Sequence, residues 1–119
     1  MIIGIGLDIV EIQRIARLTE RQPKFINRIL TEAEIDHYTS LSGGRKNEFL
    51  AGRFAAKEAF AKARGTGIGS DLSFTDIEVR KDQRGKPYIA LPFEKGVHLS
   101  ITHSKDFAAA QVIIEELDD

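Results

Sequence analysis

The first ten residues alternate between two kinds of side chain. Every second position from 3 to 9 carries a large aliphatic residue, and these are Ile3, Ile5, Leu7 and Ile9. The positions between them include Gly4, Gly6 and Asp8. A period of two with many β-branched residues is typical of a β-strand. The pattern therefore predicts a largely buried strand over residues 2–10, with Asp8 on the face that carries the glycines.

Helical spacing follows this strand over residues 12–30. It is interrupted at Pro23, which lacks the N–H that a helix interior needs. Thr31 is followed three residues later by Glu34, which is the pattern of a capping box. These signals predict an interrupted helical segment and then a separate short helix that begins near Glu32.

The longest helical segment runs from about Lys46 to Arg64, and Gly65 follows it with the residue type that commonly ends a helix. Small residues occupy nearly every direction around its axis, and these are Ala51, Gly52, Ala55, Ala56, Ala59, Ala61 and Ala63. A helix without a wide polar face packs against other elements on most of its sides. We therefore expect a long buried helix at the centre of the fold.

The last part of the chain changes to the period of a β-strand. Strands are predicted over four segments, residues 74–81, 86–91, 97–102 and 107–115. Residues 82–85 (Asp-Gln-Arg-Gly) have the composition of a hairpin turn, and residues 104–106 predict a tight corner. A strand, then helices, then strands indicate an α+β fold, and we expect a single domain over residues 1–119.

Composition and charge narrow the classes of function. Of the 119 residues, 42% are apolar, which is enough for a core, and the absence of cysteine excludes disulfides and thiolate chemistry. The net charge is −1, but residues 1–64 carry +3 and residues 65–119 carry −4. This balance argues against a general nucleic-acid binder and favours an anionic partner for the first half. The N-terminal segment has no cationic region and its apolar run stops at Asp8, so we expect a cytoplasmic protein without a membrane partner.

Two carboxylates lie in apolar segments, where an ionised group needs a partner. Asp8 is either a metal ligand or general base, or a cap for the helix that follows. Glu58 lies among the apolar residues of the long helix, and an ordinary ion pair with Lys62 one turn later would also explain it. If the two carboxylates meet, they form an oxygen-ligand pair that suits Mg²⁺ beside a substrate phosphate. Sequence spacing leaves these alternatives open.

Basic residues of the long helix lie within about 40° of one another on a helical wheel, and they are Lys46, Arg53, Lys57 and Arg64. This stripe fits either a phosphate site or a solvated helix face. The glycine-rich run over residues 65–69 could cradle an anion with its backbone amides, or it could simply end the helix. His103 and Ser104 stand at the end of a predicted strand, where an imidazole and a hydroxyl can contact an anion.

A second basic series steps by three and four residues through the earlier helical segment, and it comprises Arg14, Arg17, Arg21, Lys24 and Arg28. We call these five residues the basic ridge. Such a ridge fits an acidic protein helix or phosphates, and a solvated helix face is the alternative. We expect no nucleic-acid partner, because the ridge lacks a regular alternation with aromatic residues on which bases could stack.

Three segments together resemble the small class of the 4′-phosphopantetheinyl transferase family. They are residues 4–11 (GIGLDIVE), residues 49–69 (FLAGRFAAKEAFAKARGTGIG) and residues 99–104 (LSITHS). The middle segment, with its Arg, Lys-Glu and Lys at fixed spacing, is the most specific of the three. Together they span nearly the whole chain. The resemblance therefore implies the fold of that family, with an N-terminal strand, one long buried helix and C-terminal antiparallel strands.

The resemblance also implies a reaction. In it, 4′-phosphopantetheine passes from coenzyme A to a serine hydroxyl of apo acyl carrier protein, adenosine 3′,5′-bisphosphate is released, and the product serves fatty acid biosynthesis. Asp8 and Glu58 would hold Mg²⁺ on the coenzyme A diphosphate. A metal-bound or carboxylate-oriented water would be the route for the serine proton, with Glu58 as the nearest candidate base. Lys62 would stabilise or protonate the leaving phosphate. Larger, two-lobed relatives carry Asp-x-Glu where this chain has Asp8, Ile9 and Val10, so water would fill one metal position.

Substrate-binding residues follow from the same resemblance. The coenzyme A residues would be Arg45, Arg53, Lys57, Lys62, Gly65, His103 and Ser104. An acidic helix of the carrier protein would contact four members of the basic ridge, Arg14, Arg17, Arg21 and Lys24. Small-class members resemble half of a two-lobed enzyme and generally assemble as trimers. The resemblance therefore implies a homotrimer with sites between neighbouring subunits.

Two other functions stay open at this level. A noncatalytic module that binds anions or docks a carrier protein would need only the basic ridge, with Asp8 as a helix cap and Glu58 paired to Lys62. A Mg²⁺-dependent phosphodiesterase would use the same two carboxylates on a different diphosphate.

Overall fold

The computed structural model describes residues 1–118, and over them the chain forms one strand, four helices and four further strands in that order. Strand β1 spans Ile2–Glu11. The helices α1 to α4 span Ile12–Arg21, Phe25–Ile29, Glu32–Ser40 and Gly44–Arg64. The strands β2 to β5 span Glu78–Lys81, Pro87–Leu91, Val97–His103 and Phe107–Glu115. The predicted α+β class is confirmed.

The strands form two antiparallel sheets. One sheet has the order β1-β5-β4, and the other pairs β2 with β3. In the larger sheet β5 is the middle strand, with Gly6 opposite Val112 and Asp8 opposite Ala110. The predicted hairpin joins β2 to β3, and its Gly85 has a φ of +83°, a left-handed conformation that glycine adopts without strain.

Helix α4 is the centre of the core. It packs against β1, β4 and β5 and against the other three helices, and its fully buried residues include Ala55, Ala59 and Phe60. Its 21 residues give it a length of about 32 Å. The expected long, surrounded helix is confirmed, and it begins at Gly44, slightly before the predicted start. No helix of the described chain, α4 included, is both long and apolar enough to cross a membrane.

The glycine face of β1 lies directly on α4. A side chain on Gly4 would overlap the carbonyl oxygen of Ala63, and a side chain on Gly6 would overlap that of Ala59. Glycine at both positions therefore allows the strand and helix backbones to come into contact. The same face of the strand carries Asp8, as its position in the alternation predicts.

The prediction that β1 is largely buried is wrong for its aliphatic face. In the single chain the exposed fractions are 60, 59, 61 and 65% for Ile3, Ile5, Leu7 and Ile9. The period of two identifies the strand correctly, but α4 packs on the glycine face because only that face has room for its backbone. We call the four exposed residues the aliphatic row. A contiguous apolar surface of this kind is typical of a face that contacts another protein.

The strand predicted over residues 74–81 is confirmed only in its second half. Phe74–Asp76 form a 3-10 turn, and Glu78–Lys81 form the strand. The N–H of Ser73 donates a hydrogen bond to Asp76 Oδ2 at 2.9 Å and caps the turn. Short polar side chains can form hydrogen bonds with backbone groups in place of strand pairing. The strand prediction used only the alternation of apolar residues and therefore missed this effect.

Gly6→Ala should lower the free energy of unfolding by at least about 3 kcal/mol, because the new methyl group meets helix backbone and not a movable side chain. Gly44→Ala is the matched control, since the added group has open space and alanine favours a helix. Urea unfolding of both variants measures the difference. Equal stabilities would contradict the backbone contact between β1 and α4.

Candidate active site

Asp8 and Lys62 meet where β1 lies on the C-terminal half of α4. Lys62 Nζ donates to Asp8 Oδ1 at 3.1 Å and to the backbone oxygen of Leu7 at 2.9 Å. The second oxygen, Asp8 Oδ2, is buried and has no hydrogen-bond partner within residues 1–118. Helix α1 has Glu11 at its N-cap, and no described side chain caps it, so Asp8 is not a helix cap. Leaving a buried polar oxygen unpaired costs about 1–3 kcal/mol, and a bound cation would remove that cost.

Glu58 lies one turn before Lys62 on α4 and is half-buried. Burial raises the pKa of its carboxyl, the negative charge of Asp8 raises it further, and the ammonium of Lys62 opposes both effects. Among the described residues Lys62 pairs with Asp8 and not with Glu58, so the simple helix ion pair is not formed. We call Asp8, Glu58 and Lys62 the carboxylate group. With one ammonium for two carboxylates, it has one negative charge in excess.

The carboxylate group fits Mg²⁺. This ion takes oxygen ligands and is typically held by one or two carboxylates, with water and substrate phosphate in the remaining positions. Asp8 Oδ2 is the oxygen without a partner, and Glu58 adds a second carboxylate beside it. Within residues 1–118, His, Asp and Glu side chains form no cluster of three or more that could hold a metal. Asp8 and Glu58 are therefore the two described side chains that would hold such an ion, and the assignment stays a prediction.

Basic side chains line a cleft of about 240 Å³ beside the N-terminal half of α4. We call it the first cleft, and its ionisable lining residues are His37, Arg45, Glu48, Arg53, Lys81 and His103. The sequence predicted Arg45, Arg53 and His103 as phosphate ligands, and the structure brings them together. The structure also adds His37 from α3 and Lys81 from the end of β2, which the sequence analysis did not place in this cleft. For Lys81 the sequence offered only a lysine just before a predicted turn.

Arg53 is the most buried cation of the first cleft, with 6% of its surface exposed. Its guanidinium lies over the ring of Phe49, with Cζ 4.3 Å from the ring centroid. Its Nε has no hydrogen-bond partner within the described chain. Burial lowers the pKa of Arg53, and the carboxylate of Glu34 opposes that shift. The side chain is therefore a desolvated cation whose Nε–H has no hydrogen-bond acceptor within the described chain.

Two histidines and one carboxylate also line the first cleft, beside Arg45, Arg53 and Lys81. Burial lowers the pKa of His37, and the charges of Lys81 and Arg53 lower it further. His103 Nδ1 lies 3.1 Å from Glu48 Oε2, so its ring is oriented by the one carboxylate of the lining. Cations thus outnumber carboxylates in the first cleft, which favours the binding of an anion.

Lys57 does not reach the first cleft, which corrects its prediction as a coenzyme A ligand. Its side chain is fully buried, and Nζ donates to Glu34 Oε1 and to the backbone oxygen of Ile29, both at 2.6 Å. Burial lowers the pKa of Lys57, and Glu34 opposes the shift. The solvated-face alternative is also wrong for this part of the stripe, because Arg53 and Lys57 are both buried. The helical wheel grouped them correctly, but α2 and α3 pack against α4.

Gly65 ends α4, as predicted, in a left-handed conformation with φ +83°. Its N–H donates to the backbone oxygens of Ala61 and Lys62 at 3.1 and 3.0 Å. This amide is therefore engaged by the helix and is not available to cradle an anion. Ser104 lies at the corner between β4 and β5, where its Oγ accepts a hydrogen bond from the N–H of Phe107 at 3.3 Å.

The carboxylate group and the first cleft lie apart on α4. From Arg45 to Glu58 the axial rise is about 20 Å, and their directions around the axis differ by about 140°. The single chain therefore does not bring together all the residues that the resemblance assigns to one nucleotide substrate. The structure confirms that both positions lie on one continuous helix, so their spacing in sequence already sets this separation.

The basic ridge forms one exposed surface on α1 and α2. All five of its side chains are exposed, while Ile12 and Ile15 of α1 face the core. Within residues 1–118 no member of the ridge takes part in an ion pair. The ridge therefore presents uncompensated positive charge to solvent, as the sequence predicts.

Comparison with known proteins identifies relatives over the full chain. The family model of the 4′-phosphopantetheinyl transferase superfamily matches residues 4–113. A holo-[acyl-carrier-protein] synthase of Bacillus subtilis is 65% identical over 119 residues, which cover 98% of each chain. The solved holo-(acyl-carrier-protein) synthase of Bacillus anthracis, in complex with CoA (3′,5′-ADP), has a TM-score of 0.90 and 55% identity, and covers 98% of this chain and 99% of that chain. The Helicobacter pylori synthase in complex with coenzyme A has a TM-score of 0.81 and 39% identity, and the match covers 93% of this chain and 99% of that chain.

The chain therefore belongs to the 4′-phosphopantetheinyl transferase superfamily. Its full-length matches place it, more narrowly, in the family of holo-[acyl-carrier-protein] synthases. The resemblance drawn from the three sequence segments is confirmed, and so are the expected fold and the expectation of a transferase enzyme.

Proposed function

We propose that the protein transfers 4′-phosphopantetheine from coenzyme A to a serine hydroxyl of apo acyl carrier protein and releases adenosine 3′,5′-bisphosphate. The carboxylate group carries this proposal, because Asp8 Oδ2 is buried without a partner, within the described chain, beside a second carboxylate and an ammonium. Membership of the synthase family supports the choice of substrates. The reaction is a phosphoryl transfer, in which positioning and charge neutralisation supply most of the catalysis.

Each member of the carboxylate group has a role in this reaction. Asp8 and Glu58 would hold Mg²⁺, which neutralises diphosphate charge when it is bound. Lys62 orients Asp8 through its hydrogen bond, and its half-exposed ammonium can also donate to an oxygen of the leaving phosphate. Glu58 is the carboxylate that would accept the serine proton. Burial and the charge of Asp8 raise the pKa of its carboxyl, and a bound Mg²⁺ would oppose that shift.

The first cleft would bind phosphate oxygens of the coenzyme A nucleotide. Arg45, Arg53 and His103 are the expected ligands, and Lys81 joins them as a further cation. A guanidinium with unused donors suits a phosphate, because it can form two parallel hydrogen bonds to the oxygens. Ser104 remains a predicted ligand beside His103.

We propose that the active site forms between copies of the chain in a homotrimer. The carboxylate group and the first cleft lie on different sides of α4, so a second copy would have to bring a first cleft to the carboxylate group. The aliphatic row offers the apolar surface that a stable assembly needs. Obligate assemblies bury apolar surface of this kind, and the row is already held rigidly in the larger sheet.

The basic ridge would receive an acidic helix of the carrier protein. Arg14, Arg17, Arg21 and Lys24 are exposed and without ion pairs within the described chain, so no internal contact has to be broken. Complementary charge raises the rate of encounter and fixes orientation. The docking module without catalysis and the phosphodiesterase are not favoured, because the chain is a member of the synthase family. The cytoplasmic location expected from the sequence stays a prediction.

Incubation with Mg²⁺, coenzyme A and apo carrier protein should add the mass of one phosphopantetheine to the carrier, measured by mass spectrometry. Asp8→Asn and Glu58→Gln should each slow this transfer by about a hundredfold or more, because each removes a charge while it keeps the shape of the side chain. Glu32→Gln, an exposed carboxylate of α3, is the control and should keep the wild-type rate.

No mass gain with the wild-type protein would overturn the proposed function. Cleavage of coenzyme A without transfer would favour the phosphodiesterase. Wild-type rates in both Asp8→Asn and Glu58→Gln would remove the assignment of the carboxylate group.

The double variant Arg14→Glu/Arg21→Glu should raise the KM for the carrier protein by about tenfold at low salt and leave kcat nearly unchanged. Added salt should shrink the difference from wild type, because screening weakens attraction between exposed charges. Lys95→Glu reverses one exposed cation outside the ridge and serves as control. An unchanged KM in the double variant would count against the ridge as the docking surface.

Ile5→Lys should convert the trimer into monomers and abolish transfer while it leaves the fold intact, because Ile5 is exposed in the single chain. Light scattering coupled to size-exclusion chromatography measures the mass, and circular dichroism checks the fold. Glu32→Lys, outside the aliphatic row, should remain trimeric. A wild-type protein that is monomeric at full activity would refute the shared site.

A further inference from the structure

Lys57 and Glu34 form an ion pair that is shut away from solvent, with side chains 0 and 2% exposed. Replacing a buried ion pair with apolar residues is often neutral or stabilising, so its contribution to stability does not by itself account for it. Both residues lie behind the first cleft and not in its lining. Arg53, which does line the first cleft, lies one helical turn before Lys57 on α4.

Glu34 uses both of its carboxylate oxygens. Oε1 accepts hydrogen bonds from the N–H of Thr31 at 2.9 Å and from Lys57 Nζ at 2.6 Å. Oε2 accepts from the N–H of Val79 at 2.8 Å. The carboxylate thereby ties the start of α3 and the strand β2 to the central helix. Lys57 is the only cation among these three donors.

Arg53 lies near the same carboxylate but is not paired with it. It lines the first cleft, and it shares with Glu34 a second cleft of about 180 Å³. Within residues 1–118 it forms no ion pair, and its Nε has no partner. Glu78, the other buried carboxylate, is engaged by Thr31 Oγ1 and Arg80 Nε at 2.6 Å each. Arg53 is thus a buried cation that shares a cleft with Glu34 and feels its charge, while Glu34 itself is paired with another cation, Lys57.

We propose that Lys57 is a positioning residue that occupies Glu34 and so leaves the guanidinium of Arg53 free to bind an anion in the first cleft. Arginine and carboxylate form strong, often bidentate pairs. Without Lys57, Glu34 would compete with the anion for Arg53. Because Glu78 is neutralised by Arg80, the remaining charges of Arg53, Lys57 and Glu34 leave one positive charge in excess, and removal of Lys57 would cancel that excess. The inference rests on the proposed function, since the anion is a phosphate of the coenzyme A nucleotide.

The test compares two probes on the assembled protein by isothermal titration calorimetry. Adenosine 3′,5′-bisphosphate carries one more phosphate than adenosine 5′-monophosphate, and the ratio of their Kd values measures the phosphate preference. Lys57→Met should reduce this preference by about tenfold, within the range of coupled neighbours. The double variant Lys57→Met/Glu34→Gln should restore it to within about threefold of wild type, because it removes the competing carboxylate as well.

Ile89→Val is the matched control, because it trims a buried residue opposite Val79 on the neighbouring strand without a change of charge. It should retain the wild-type preference. Thermal unfolding checks that each variant is folded, and Lys57→Gln replaces Lys57→Met if the latter does not fold, with the same loss and the same restoration expected.

A single variant that keeps the wild-type preference would overturn the proposal. So would a double variant that loses as much preference as the single one, because Lys57 would then act only as a structural support. A wild-type protein without phosphate preference would also overturn it, while the mass gain on the carrier protein would still decide separately whether the transfer takes place.

Discussion

The rest of the structure depends on the contact between the glycine face of β1 and helix α4. Because side chains at positions 4 and 6 would overlap carbonyl oxygens of the helix, the two backbones touch there. This contact brings Asp8 to Lys62 and leaves the carboxylate oxygen that suits a cation. It also turns the large aliphatic residues of the strand outward. One strand therefore carries the carboxylate of the proposed active site on its inner face and the exposed aliphatic row on its outer face.

A second constraint follows from the position of α4 at the centre of the core. A helix surrounded on most sides cannot keep all its cations in water, so Arg53 and Lys57 are buried. Burial disfavours their charged forms, and the carboxylate of Glu34 opposes that effect for both. The same carboxylate belongs to the capping box of α3. In the positioning role proposed for it, Lys57 would affect substrate binding without contact with the substrate.

Local signals could be predicted from the sequence, and contacts between distant elements could not. The capping box of Thr31 and Glu34 is confirmed, because its two partners are only three residues apart. That Glu34 also binds Lys57 depends on how α3 packs on α4, which no spacing encodes. Asp8 and Glu58 were predicted as site residues because an ionised carboxylate in an apolar segment needs a partner. Lys81 was missed, because it reaches the first cleft only through the packing of β2 against α3 and α4.

The order of strands in the larger sheet has a consequence for folding. Strand β5, the last element along the chain, lies between β1 and β4, and Ile2 pairs with Glu115. During synthesis β1 therefore has no strand partner until β5 follows, because even its nearest pair, Glu11 with Phe107, is separated by 96 positions along the chain. Contacts of such long sequence separation slow folding, because loop closure precedes the favourable pairing. Pairing with β5 does not cover the aliphatic row, so a folded single chain still presents this apolar surface to solvent until another chain packs on it.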